Sequence, residues 1–478
     1  YRAYRMLDRD RLPAELVAPA DQERPVRCAT PQLREAAAAR SWMSPAGVAA
    51  LDAVLGAPLP ARSEQTTSTN FAVIVGEDGG VSAGVVDQWL VTLEEVWTAE
   101  VDQTGFDAPP CTDQHYFDVY IGNTGADVPS IENDVYGYVT HYGNDCPYMV
   151  VHGDYPGGWG AAEVTAAHEF QHGIQSGYDW WEGDWWMEAT AVWAEELVYP
   201  DVNDYLQYLN GGSWMDYPEY SLFYEDGWHE YGNVAFILYL DEYQGGAQTV
   251  RNMWERCKVE DADQAIDSEL VALGWSLDEG FVDFTAHLSG HFFEDGDLWN
   301  AVWTNGNHSA YPVDQAVAQY TPEQYGSNYI EFLPDGGGAT TLEVTLDTDD
   351  ANEKLGMALV AFEGGSATYD VDWGAPPLTL SVADFGGAVD KVVMAVSLLS
   401  STGTQPGSGG VSYSYQATVG GSSGDDDAAD DDDDADDDDD GAGDGGGYGC
   451  GCRVDGRDSA MAAPLLLLLV IALRRATR

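Results

Sequence analysis

The stretch Ala167-His168-Glu169-Phe170-Gln171-His172 reads HEFQH from its first histidine. On a helix, His168 and His172 stand four residues apart and project from one face, one turn above the other. Two imidazoles so placed can reach a single metal ion, and Glu169 beside them can take a proton from a water held there. The same letters also fit an amphipathic helix whose histidines are simply satisfied by their neighbours. A second motif, Trp185-Trp186-Met187-Glu188-Ala189-Thr190-Ala191, favours the metal. A catalytic zinc takes three protein ligands and leaves one position open. Glu188 lies sixteen residues beyond His172 and opens a helical run that continues to Glu195-Glu196. Gly177 and Gly183 lie between and let the chain reverse, bringing the second helix under the first. Glu195 and Asp184 remain alternative ligands, and Glu195 or Glu196 could instead orient the free nitrogen of a ligand histidine.

Outward from this pair, the upstream chain predicts strands over Asn70-Val75, Phe117-Ile121, Tyr136-Thr140 and Tyr148-His152, with a helix over Val85-Val101. Downstream, helices are expected over Glu188-Val198, Tyr231-Tyr243, Thr249-Cys257 and Glu279-His291. Strands first and helices after is an α+β order. From about Tyr325 the texture turns to short alternating strands, which predicts a β-sandwich-like domain over 325–420. His229 and Tyr231, at the start of one long helix, are the candidates for stabilising a developing oxyanion. Packing at a helix start explains them equally well. The tryptophans around Glu188 mostly serve to pack the two helices.

The formal charge of −63 over 478 residues excludes a nucleic-acid partner. Between Arg62 and Arg453 the basic residues are Arg251, Arg256, Lys258, Lys354 and Lys391, too few to neutralise phosphates. Residues 1–64 differ, holding Arg2, Arg5, Arg9, Arg11, Arg24, Arg27, Arg34 and Arg40 and a short helix over Pro31-Arg40. They read either as a flexible extension or as a pro-segment whose basic surface docks on an acidic catalytic domain at 65–320. Cys111 and Cys146 could close a disulfide, which spacing alone does not establish. Acidic loops at Asp347-Glu353 and Glu294-Asp297 could hold Ca2+ or be simply solvated. Residues 421–447 form an acidic low-complexity linker, expected to be disordered. The chain begins at Tyr1 without a charged and then apolar leader, which leaves export open.

Two resemblances add to this. The tail at 448–478 has Cys450-Gly451-Cys452, an apolar run over Ala460-Leu473, then Arg474-Arg475. It resembles the C-terminal sorting tails of myxobacterial exported proteins, often called MYXO-CTERM. That implies export, contact with sorting machinery and the membrane, and surface display. Metzincins continue HExxHxxGxxH, and Gln175 and Tyr178 at the later positions exclude that class. HEFQH followed by Trp-Met-Glu-Ala-Thr-Ala resembles the gluzincin peptidases, most of all secreted myxobacterial metalloproteases with this tail. The resemblance implies a thermolysin-like zincin fold with Zn2+ on His168, His172 and Glu188 and with Glu169 as general base. The spacing to Glu188 is shorter than in thermolysin, and Met187 replaces the Asn before that Glu. The expected function is hydrolysis of protein or peptide substrates at the cell surface. A non-catalytic adhesion protein and a hydrolase of some other bond are the competing expectations.

Overall fold

The structure is a computed structural model that describes residues 28–43, 45, 48, 64–131, 135–142, 145–153, 155, 158–350, 352–399 and 409–421. The expectations for the first 27 residues, the acidic linker and the tail lie outside these. The described chain is mixed, with helices and three β-sheets, and fits the α+β class.

The first sheet carries β1 (Glu64–Thr67), β2 (Phe71–Val75), β3 (Phe117–Ile121), β4 (Gly137–His141) and β5 (Pro147–Val151), in the order β1-β2-β3-β5-β4. β2, β3 and β5 run parallel, while β1 and β4 are antiparallel to their neighbours. The inner strands are unbroken buried runs because helices cover the sheet. β4 is left at one edge. Helix α1 (Thr30–Ala39) starts with Pro31 in its first turn, where a missing N–H costs nothing. It lies beside β4, with the Ala29 N–H donating to the Gly137 carbonyl at 3.1 Å. Helix α2 (Ala83–Trp97) is capped by Ser82, whose side chain accepts from the Val85 N–H, and runs on into a π-helical turn, Thr98–Gln103.

The two motif helices are α3 (Trp159–Gln175) and α4 (Asp184–Val198), packed on each other. From Val164 onward α3 is buried on every side, which marks it as the central helix of the domain. Phe170 on its sheet side meets the rings of Phe71 and Phe117 at 5.3 and 5.4 Å. α4 begins at Asp184, four residues before the start expected from Glu188. Trp185, Trp186 and Met187 are core residues, so burial extends the helix upstream and puts Glu188 in its second turn, fully buried. Next come α5 (Leu206–Leu209), α6 (His229–Gly232), α7 (Val234–Tyr243), α8 (Ala247–Cys257), α9 (Ala262–Leu273) and α10 (Leu277–Gly290). The single helix expected over Tyr231-Tyr243 is divided at Asn233. Its side-chain amide donates to the Leu222 carbonyl and accepts from the Trp214 indole, tying the joint to the preceding loop.

The last two sheets hold β6 (Gly306–His308), β7 (Val313–Val317), β8 (Ser327–Phe332), β9 (Thr340–Asp347), β10 (Leu355–Glu363), β11 (Ser366–Gly374), β12 (Leu378–Phe385), β13 (Lys391–Leu398) and β14 (Tyr413–Gly421). Their orders are β11-β10-β13-β8-β6 and β12-β9-β14-β7. Leu342, Val344, Tyr415 and Ala417 of one sheet share a core with Met357, Leu359, Met394 and Val396 of the other, so the pair is a sandwich. It begins at Gly306, upstream of the expected 325, because β6 and β7 are short, polar edge strands that find partners late in the chain. The described residues form one compact unit, with α10 packed on β10, β11 and β13. Cys111 and Cys146 are joined in a disulfide with Cα atoms 5.7 Å apart.

Candidate metal centre

Four side chains converge between α3, α4 and the residue preceding α1 by two. One nitrogen each from His168 and His172, a Glu188 oxygen and the Cys28 sulfur all lie within 4.8 Å of one another. The Nε2 atoms of His168 and His172 are each 3.2 Å from a different oxygen of Glu188. Cys28 Sγ is 3.4 Å from His172 Nε2. The outer nitrogens are already engaged: His168 Nδ1 meets Glu195 Oε1 at 2.8 Å, and His172 Nδ1 meets Gln175 Oε1 at 2.7 Å. A carboxylate and an amide oxygen accept, so each Nδ1 carries the proton and each Nε2 can turn a lone pair inward. Glu188 Oε1 is fully buried and makes no hydrogen bond. Lone pairs of two imidazoles and a carboxylate facing one point suit a cation. With none, protons must take its place. Burial pulls the His172 ring down, but Glu188 and Cys28 together outweigh it and hold the ring up at about 10. In return, against the effect of burial, the His172 and His168 rings hold the Glu188 carboxyl far below its usual range.

Glu169 faces the edge strand. Burial raises its carboxyl above the ordinary value, with His172 and His168 pulling the other way. A Cβ on Gly137 would stand 2.7 Å from Glu169 Cγ, so only glycine lets β4 pass this close to the carboxylate. The Thr30 hydroxyl donates to Glu169 Oε2 at 3.2 Å and accepts from the Val139 N–H at 2.9 Å.

The structure separates the two oxyanion candidates. Tyr231 stacks at 6.2 Å on His168, and its buried hydroxyl has no hydrogen-bond partner. Burial, then the Glu188 charge, pushes that phenol up, so it stays a donor. His229 lies instead among the rings of Trp214, Tyr220 and Tyr224, with both nitrogens unpartnered and no contact to the cluster. Residues two apart on a helix lie about 200° apart around its axis, so His229 and Tyr231 face different sides.

Residues 61–354 match DUF6055, described as a family of unknown function. The chain belongs to the DUF6055 family. The match contains His168, Glu169, His172 and Glu188 and leaves Cys28 outside. No curated protein matches the chain. Among solved structures, the crystal structure of the Yersinia pseudotuberculosis-derived mitogen (YPM) is 17% identical, covering 24% of this chain and 91% of that one. Its TM-score of 0.17 carries no argument about this DUF6055 fold.

The remaining candidates fall outside the cluster of this DUF6055 protein. Asp184 pairs with the Arg34 guanidinium, and Glu195 supports His168 from behind. Burial first, then the charges of Asp295, Glu195 and Glu294, raise the Glu196 carboxyl to about 8. Among the described residues, the Cys28 group alone brings three or more such side-chain ligands together. Cys28, Thr30 and Gln175 were not singled out from the sequence. Gln175 sits one turn after His172, a spacing that could have flagged it. Cys28 lies 144 residues from His172, and no local pattern connects them.

Proposed function

We propose that this chain is a zinc-dependent metallopeptidase with a thermolysin-like catalytic unit and Glu169 as general base. The observation that carries the reading is the convergence of His168 Nε2, His172 Nε2 and the Glu188 carboxylate from two facing helices. Two imidazoles and one carboxylate form a donor set suited to catalytic zinc, whereas calcium would want six or more oxygens. β4 supports a peptide as substrate, since its outer edge, where Gly137 and Val139 pair with Ala29 and Thr30, is the kind of edge to which an extended chain can add. A zinc ion held by these residues would supply Lewis acidity and bring the pKa of a water down to about 7.

The protein's own groups would do the rest. Glu169, its carboxyl raised by burial, accepts the proton of the attacking water and passes it to the leaving amine. Tyr231 donates to the carbonyl oxygen as negative charge develops on it. Glu195 and Gln175 hold the two ligand rings in their tautomers. Export and surface retention belong to the same proposal. They rest on the tail sequence beyond residue 447 and on the Cys111–Cys146 disulfide, a bond of oxidising compartments.

The test is Glu169→Gln. The variant should keep its zinc and lose about 100-fold or more of casein hydrolysis, the usual range for removing a general base. Incubation should run long enough for any self-processing to occur. Hydrolysis equal to the wild type would sink the mechanism.

A further inference from the structure

We infer that Cys28 is a fourth ligand to this metal, and that residues 28–40 are a built-in stopper holding the peptidase latent. The inference rests on the metal-centre reading above and adds the regulation of that site. Four ligands held ~2.0–2.3 Å from a tetrahedral zinc stand roughly 3.3–3.8 Å from one another. The contacts of 3.2, 3.2 and 3.4 Å among His168, His172, Glu188 and Cys28 approach that spacing. A structural zinc has four protein ligands, while a catalytic one keeps the fourth position for water. Sulfur in that position therefore turns a working site into a closed one. Ligation costs the thiol its proton, released to solvent, and breaks no other bond.

The rest of the segment occupies what a substrate would need. Thr30 holds the oxygen of Glu169 that would otherwise face water. Ala29 donates to the Gly137 carbonyl, and Cys28 bridges Gly137 in parallel, so the segment covers the free edge of β4. The cleft left between Cys28, Tyr136, His168, Glu169 and Tyr208 measures about 20 Å³. That is room for roughly one water and no peptide. Arg34 latches the segment in place. It is 5% exposed and donates to the Trp180 carbonyl at 2.7 Å, to the Glu182 carbonyl and to the Asp184 carboxylate. A cysteine buried only for its apolar character would have no reason to face three ligand atoms. Cutting the chain on the C-terminal side of the segment, or drawing Cys28 away, opens the fourth position.

The experiment uses the full chain loaded with Co2+ in place of zinc, as wild type and as Cys28→Ser. Tetrahedral cobalt gives visible bands, and a thiolate ligand adds a near-ultraviolet charge-transfer band. The inference expects both in the wild type, and in the variant the visible bands without the charge-transfer intensity. With zinc restored, Cys28→Ser should hydrolyse casein about tenfold faster or more, as when a minor competent population becomes the major one. Visible bands without a charge-transfer band in the wild type would overturn the stopper and leave the metal centre standing. So would a charge-transfer band that persists in Cys28→Ser, since it would come from another cysteine. Absence of cobalt bands from both proteins would overturn the metal centre and the stopper with it.

Discussion

Burial keeps His229 neutral, holding its ring down at about 4 although Asp226 pushes the other way. The unfolded chain titrates near the ordinary value of ~6.5. Between these values the unfolded state binds a proton that the folded state lacks, so stability is full above pH 6.5 and falls as pH drops through 4. For a ring 1% exposed the loss approaches roughly 3 kcal/mol at the acid end. His229→Phe should therefore lose less urea resistance than the wild type between pH 7 and 4.5, and parallel curves would contradict this. Tyr231→Phe belongs to the chemistry: it should retain zinc and lower kcat by about 10- to 100-fold, leaving KM little changed. An unchanged kcat would remove Tyr231 from the site. The helix-borne residues were legible because a turn of helix ties sequence spacing to direction. Cys28 and Thr30 were not, because only the folded chain carries the start of α1 to α3.

Among the elements, β4 is the one the site depends on most closely. Gly137→Ala would press a methyl group against Glu169 and Thr165, at 2.7 and 3.0 Å. It should cost about 1–3 kcal/mol and shift Glu169 off its position. Chemical denaturation against wild type checks this, and a neutral result would mean that β4 can move away. The disulfide fastens the loop before β3 to the β4–β5 connection across 35 residues. Replacing both cysteines by alanine should lower stability by about 3–4 kcal/mol on chain entropy alone. The periodic strands and helices were readable from their apolar patterns. β6 and β7 were not, since edge strands owe their form to partners far along the chain.

For the whole molecule, the dominant feature is charge. At −63 overall, like charges repel, and salt screens that repulsion over about 10 Å at 0.1 M. The acidic patch of Glu196, Glu242, Glu294 and Asp295 contributes, burial and mutual repulsion raising Glu242 to about 7. The thermal midpoint should therefore climb with NaCl from 0.01 M to 1 M, where the screening length falls from ~30 to ~3 Å. A flat response would mean that the carboxylates are already offset by protons or bound cations. The sequence showed this imbalance directly, along with the order of mixed α/β unit before sandwich. It did not show that the two share one compact unit, because α10 packs across the expected boundary through residues that read only as an ordinary helix.

Metal analysis of the purified full chain tests Glu188 as the third ligand most directly. One zinc per chain in the wild type, largely lost in Glu188→Ala, is the predicted result. No zinc in the wild type, or full occupancy retained by Glu188→Ala, would contradict it.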